Sequence, residues 1–277
     1  MSATNIQNFS GDIQVRGTTF IKANSNTNNI AIGTTAGLTV QGINTVAVGN
    51  DAGKTNQGQY STALGVLAGH ASQGQNAVAV GREAGKTSQG DATVAIGSSA
   101  GLTSQGESAI AIGNQAGKTS QNNNSVAMGY TAGQNAQGAQ GVAVGNAAGY
   151  NGQGASATAV GDSAGTTGQG TYAVAVGRQA GQTSQGAQGT AVGYLAGYSE
   201  QGTSATAVGH DSGRTAQGAR SVAVGYQAGK TSQNNNAVAI GYDAGYNGQE
   251  AESVAIGHAA GSADQANQAV EIGRAHV

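Results

Sequence analysis

Along most of the chain a short apolar run returns every sixteen residues. Ala77-Val78-Ala79-Val80 and Ala109-Ile110-Ala111-Ile112 are typical, and each run ends on a glycine, here Gly81 and Gly113. That glycine recurs without slip from Gly33 to Gly273, and sixteen copies of the run lie between Asn29 and Gly273. After it come two variable residues, then Ala-Gly, usually a Thr, then Gln and usually another Gly. A run this short, rich in β-branched residues and fenced by glycine, predicts a strand. The period is too short for a helix-pair repeat. One strand, a glycine turn, a shorter extended segment around Ala-Gly and a return through Thr-x-Gln-Gly make one coil. The chain is therefore expected to be all-β, a parallel β-solenoid with a 16-residue coil. Coils stacked at the strand spacing of about 4.8 Å give a rod roughly 70 Å long. An insertion would throw every column out of line, which explains why the stack has none.

Side chains alternate along a strand. Val78 and Val80 face one way and Ala79 the other, yet neither face is polar. A strand apolar on both faces is buried on both, and one narrow coil has a single interior. The second face needs a cover, and a second copy of the rod, in a symmetric oligomer, is the simplest one. Val and Ile are assigned to the coil interior. The alanine column, with Ala79, Ala111, Ala143, Ala175 and Ala223 as interface candidates, is assigned to the contact between rods. The inverse assignment is open and leads to the same oligomer. Only Glu271 breaks the alanine column, a charge that discourages further stacking.

Gln recurs in one column from Gln41 to Gln265. It is read as an amide ladder rather than a row of ligands, each side chain bonding the one above. The Thr column (Thr39, Thr55, Thr87, Thr103, Thr119, Thr183, Thr231) is expected to point inward or to bond turns. The two variable positions after the turn glycine carry charge, as in Arg82-Glu83 and His210-Asp211, and mark the solvated face. Several of the nine Tyr gather in the second half. Tyr194, Tyr226, Tyr242 and Tyr246 are candidate receptor contacts, since exposed aromatic side chains stack on sugars or anchor partners; plain surface cover is the competing reading.

Composition changes this picture little. The chain has 49 Gly, no Pro, no Cys, no Trp and two Phe, with 9% charged residues. An absence of Pro suits strands that must all donate their N–H groups. A net charge of −2 offers no footprint for nucleic acid or an anionic membrane. No apolar stretch is long enough to span a bilayer, and no secretory signal is visible at the N-terminus. No disulfide or thiolate site is available without Cys. His70, His210, His258 and His276 are scattered; only His210 and His258 share a column, three coils apart, too far to share a metal. Gly85-Lys86-Thr87-Ser88 has the look of a phosphate loop but recurs with the period and opens no helix. No cofactor, metal or catalytic residue is expected. Residues 1–28 depart from the repeat and hold Ile6, Phe9, Ile13, Val15, Phe20 and Ile21, the expected cap or junction; residues 29–273 form the solenoid and 274–277 a tail.

The unit Ser253-Val254-Ala255-Ile256-Gly257, with Ser125-Val126-Ala127-Met128-Gly129 and Ser221-Val222-Ala223-Val224-Gly225, resembles the head repeat of trimeric autotransporter adhesins. It is equally similar to the repeats of fibre proteins of phages and large algal viruses. The resemblance covers residues 29 to 273. It implies a left-handed β-roll assembled as a homotrimer, in a surface fibre that binds a host or matrix, with a glycan or host-surface receptor as partner. The bacterial heads commonly have a shorter period, and no signal, stalk or anchor is seen here. Those differences point toward a virion fibre or an excised piece of an extracellular one. A passive spacer without a receptor is the alternative function. Ice binding is a third reading, weakened because Ala71, Asn135, Asn151, Asn247 and Ala263 interrupt the single Thr column.

Overall fold

The computed structural model describes residues 13–15, 18–24 and 28–273. It is a parallel β-solenoid without helices among the described residues. Two antiparallel strands come first, β1 (Ile13–Val15) and β2 (Thr18–Asn24). β2 then runs antiparallel to β3 (Asn29–Ile32), the strand of the first coil, pairing Ile21 with Ile32 and Asn24 with Asn29. Of the residues expected to form a cap, Ile6 and Phe9 lie outside the described residues, as does the 274–277 tail with His276.

From β3 onward each coil adds one strand to a first sheet, and the coils as far as Thr231–Gln233 add one to a second. The apolar run builds the first, in register column by column: Val94 pairs with Val78, Ala95 with Ala79 and Ile96 with Val80. This sheet has 18 strands, counting β1 and β2. The second sheet has 13 strands and is made by the Thr-x-Gln segment, not by Ala-Gly as the sequence led us to expect. Ala-Gly instead occupies a corner. In the coil Gly81–Ile96, backbone φ is positive at Gly81, Glu83, Gly85, Ser88 and Ala92. Five left-handed residues per coil turn the chain so tightly that two three-residue strands are all that remain extended.

Two of the five must be glycine for reasons visible in the packing. A Cβ on Gly81 would stand 2.7 Å from the carbonyl oxygen of Gly97 in the next coil. One on Gly85 would stand 2.5 Å from Oε1 of Gln89. The other three columns hold Ser, Asn, Gln, Asp and even Tyr172 or Leu195 in left-handed geometry. Asn, Asp and Ser tolerate that region best, and the strain of the bulkier residues is shared across a hydrogen-bonded stack.

The interior is the reverse of the assignment made from the sequence. Ala79, Ala111, Ala143, Ala175 and Ala223 are all at 0% exposure within a single chain, facing into the coil. They are therefore not available as side-chain contacts between rods. Val and Ile of the same strands face outward and remain half-buried or exposed. The corner geometry decides this. In the coil Gly81–Ile96 the buried residues are Ala84, Gly85, Gln89, Thr93 and Ala95, and Cβ positions across the interior approach to about 3.2 Å, as between Gly149 and Ala143. No space is left for branched side chains.

The glutamine ladder is present. From Gln57 to Gln265 each Nε2 donates across the interior to a strand carbonyl eleven residues earlier, at 2.7–2.9 Å, as from Gln201 to Thr190. From Gln153 onward each amide also donates to Oε1 of the Gln one coil on, at 2.9–3.2 Å, up to Gln265. Earlier in the stack that second contact is intermittent, and Oε1 of Gln73, Gln89, Gln121, Gln137 and Gln153 has no partner. At Ser61, Thr93, Ser125, Ser221 and Ser253, four residues after the Gln, the hydroxyl donates to the corner carbonyl three residues earlier, as from Ser221 Oγ to Gly218 at 2.7 Å. The Thr column, by contrast, does not point inward: Thr39, Thr87, Thr119 and Thr183 are exposed and Thr55, Thr103 and Thr231 half-buried. A left-handed residue between each Thr and its Gln breaks the alternation that would have put both on one face.

Candidate functional site

Two outward features distinguish this rod from a uniform stack. The first is an apolar stripe. The Val and Ile columns that flank each buried alanine run the length of the first sheet, with Leu64 at 45%, Met128 at 40% and Ile256 at 41% exposure. Their strands are half-buried because the neighbouring coils above and below cover the sides of each side chain and leave the tip open. One of these columns is apolar in every coil from Ile32 to Ile272, and an exposed apolar stripe that runs the length of a rod marks an interaction surface.

The second feature lies on the position just after the turn glycine. Tyr194, His210, Tyr226, Tyr242 and His258 fall in this one column, and parallel stacking of coils brings their rings into a continuous pile. Successive centroids are 4.9, 5.1, 5.0 and 5.0 Å apart. The rings grow more parallel toward the C-terminal end, from 43° between Tyr194 and His210 to 5° between Tyr242 and His258. The guanidinium of Arg178 lies 5.5 Å over the outer face of Tyr194, so a cation closes that end. A ring spacing set by the strand repeat thus gives an aromatic column roughly 20 Å long.

The structure brings together three of the four tyrosines singled out from the sequence and leaves the fourth aside. Tyr246 belongs to the column five residues after the turn glycine, where Lys230 lies 5.0 Å over its ring and donates to its hydroxyl at 3.2 Å. Tyr198 is in that same column under Arg214, at 5.8 Å. His210 and His258 were missed as members of the stack, although their spacing of sixteen from the tyrosines was there to be read. The rings pile face on face, so their faces are turned toward one another. What the column offers a partner is ring edges, phenolic hydroxyls and imidazole nitrogens.

Charges pair along the rod in a recurring local pattern. The second residue after the turn glycine is left-handed and its carboxylate reaches the cation three residues on: Asp51 to Lys54 and Glu83 to Lys86, both at 3.0 Å. Hydrogen bonds from Thr35 and then Lys54 hold the Asp51 carboxyl below its ordinary range. The ammonium of Lys86 does the same for Glu83. Asp211 is the most enclosed member, with His210, Arg214 and Lys230 nitrogens at 3.5, 3.6 and 3.9 Å. Among the described residues no group of three His, Asp or Glu is placed to hold a metal ion. No helix there is long and apolar enough to cross a membrane.

A comparison with curated proteins gave no match. Two stretches of the stack, residues 104–132 and 201–228, match the family model of the YadA head domain repeat. Each covers most of two successive coils, from the Thr-x-Gln segment through the apolar strand to the following Ala-Gly corner. The chain is thus a parallel β-solenoid in which two stretches of the stack are similar to the YadA head domain repeat.

Proposed function

We propose that the chain is a non-catalytic head or fibre segment of an adhesin, working as a homotrimer. On this reading the Val and Ile stripes of three rods pack together along a common axis, and the outer columns face a host surface or matrix. The observation that carries it is the apolar stripe, whose column before the turn glycine holds an outward apolar side chain in every coil from Ile32 to Ile272, in a chain with adhesin-type repeats. Parallel copies related by a rotation axis bring identical columns to the same height, so a stripe of uniform chemistry matches itself at every coil. A place on a cell surface or at a virion, as part of an extracellular fibre, goes with this reading.

Receptor contact is assigned to the aromatic column, because large side chains with both apolar edges and polar tips are the usual anchors of recognition. Its partner would be a glycan or a host-surface protein bound edge-on. Attachment to cells or immobilised glycans by the full chain tests this directly. Replacing Tyr194, Tyr226 and Tyr242 with Ser is expected to abolish attachment with little change in melting temperature. Full attachment by that variant would leave the chain a spacer, with the receptor site elsewhere in the fibre. Light scattering tests the assembly separately, and a stable monomer at micromolar concentration would overturn the trimer.

A further inference from the structure

Among the nine tyrosines of the chain, Tyr226 and Tyr242 are the one pair whose rings stack on each other among the described residues. They occupy the same column in consecutive coils, with centroids 5.0 Å apart and planes inclined by 12°. Both are exposed, at 42% and 50%. Every other tyrosine in the stack is separated from its neighbours by a different kind of side chain: Tyr194 and Tyr226 by His210, Tyr198 and Tyr246 by Arg214 and Lys230. The pair is also held from outside, since His210 stacks on the free face of Tyr226 and His258 on the free face of Tyr242.

We infer that Tyr226 and Tyr242 form a built-in site for oxidative cross-linking, coupling to dityrosine within one chain when a one-electron oxidant such as a haem peroxidase with hydrogen peroxide is present. In that step each phenol gives up one electron and one proton. The two phenoxyl radicals join through their ortho carbons in a new C–C bond. The ortho hydrogens then pass to the phenolic oxygens as the rings recover aromaticity. The pair loses two hydrogen atoms in all, and one peroxide becomes two waters. Radical coupling requires the reacting carbons to meet before either radical is quenched. Parallel rings one strand spacing apart need to close by only about 1.5 Å to reach the contact distance of reacting atoms. The backbones beneath them are fixed by in-register pairing of the adjacent strands, Val222 with Val238 and Val224 with Ile240. The flanking imidazoles oppose rotation of either ring out of the pile. The product is a covalent staple between two successive coils, placed where the stack would otherwise separate by losing only hydrogen bonds and small-side-chain contacts.

The experiment treats the full chain with peroxidase and peroxide and reads dityrosine fluorescence, mass and peptide map. The expected result is strong fluorescence, a chain of unchanged length lighter by two hydrogen atoms, and a cross-linked peptide joining Tyr226 to Tyr242. Tyr226→Phe and Tyr242→Phe keep the ring stack and are each expected to lose at least nine-tenths of the signal. Tyr194→Phe, whose ring faces His210, is expected to keep it. Fluorescence unchanged in both of the first two variants would overturn the inference. So would a wild-type product that is only a covalent dimer of chains, or a peptide map that places the bond elsewhere.

Discussion

Inside the coil the building unit is a side chain no larger than Ala, Ser or Thr, with Gln the one long exception. The two kinds of site respond differently to change. Ala143 is fully enclosed, with the Cβ position of Gly149 only 3.2 Å away, and a carboxylate there would be buried, crowded and unpaired. Ala143→Glu is expected to cost at least about 3 kcal/mol. Asn146→Glu, three residues on at an exposed outer position, should stay within about 0.5 kcal/mol. Thermal melts of the two variants check this, and equal losses would mean that the columns are wrongly placed. Gln201 is sensitive for another reason. Its Nε2 donates to the Thr190 carbonyl and to Gln217 Oε1 at 2.8 and 3.1 Å, and its Oε1 accepts from Gln185 at 2.9 Å. Gln201→Glu keeps the shape but removes the donor and buries a charge, so a loss of several kcal/mol is expected in denaturant unfolding. At the surface the depressed carboxyls act through pH. Asp51 and Glu83 bind their protons less readily in the fold than in the unfolded chain. Their contribution is therefore complete above the ordinary carboxylate range and is lost as pH falls through their lowered folded values. Asp51→Asn with Glu83→Gln should accordingly flatten the acid limb of the stability profile, a small effect because both groups are partly solvated.

At the scale of the element, the coil is interchangeable because each one contacts only the coils beside it. Deleting residues 145–160, one full period from Gly145 to Val160, joins Val144 to Gly161 and leaves every column in register. The shortened chain is expected to fold with nearly the same melting temperature, whereas deleting 145–152 should destroy the stack, as circular dichroism would report. That periodicity was legible from the residues alone, as were the strand at the apolar run, the parallel pairing and the glutamine ladder. The direction of the strand faces was not. Alternation separates two faces but does not say which one is inside. That depends on the width of the coil, set by three left-handed columns of ordinary residues that look like variable loop positions. A signal was nevertheless available. The alanine column never changes size from Ala31 to Ala255, while the columns beside it accept Thr62, Leu64, Met128, Thr158, Thr190 and Thr206. An enclosed column in a stack must repeat one volume, and only an outward one can vary. The aromatic column was half legible for a related reason: tyrosines were counted by type, whereas the stack is defined by position and admits His210 and His258 on equal terms.

For the whole molecule the decisive question is what covers the outward stripe. Val142 and Val144 lie at mid-rod on either side of the buried Ala143, and both are half-buried in the single chain. If three rods meet along this stripe, each valine contributes up to about 1 kcal/mol when its remaining apolar area is removed from water. Six such side chains at one level of a trimer are then replaced by six ammonium groups in Val142→Lys with Val144→Lys. Like charges converging on an axis oppose association as well as lose the apolar contact. The coil itself should tolerate the change, because neither side chain enters the interior and lysine can carry its charge into solvent on a flexible apolar stem. The expected outcome is a fall in light-scattering mass from trimer to monomer, with the β-sheet circular dichroism of the parent retained. A variant that stays trimeric would place the contact on another face of the rod. A variant that unfolds would mean that valine, and not alanine, fills the coil, and the two measurements together separate assembly from folding.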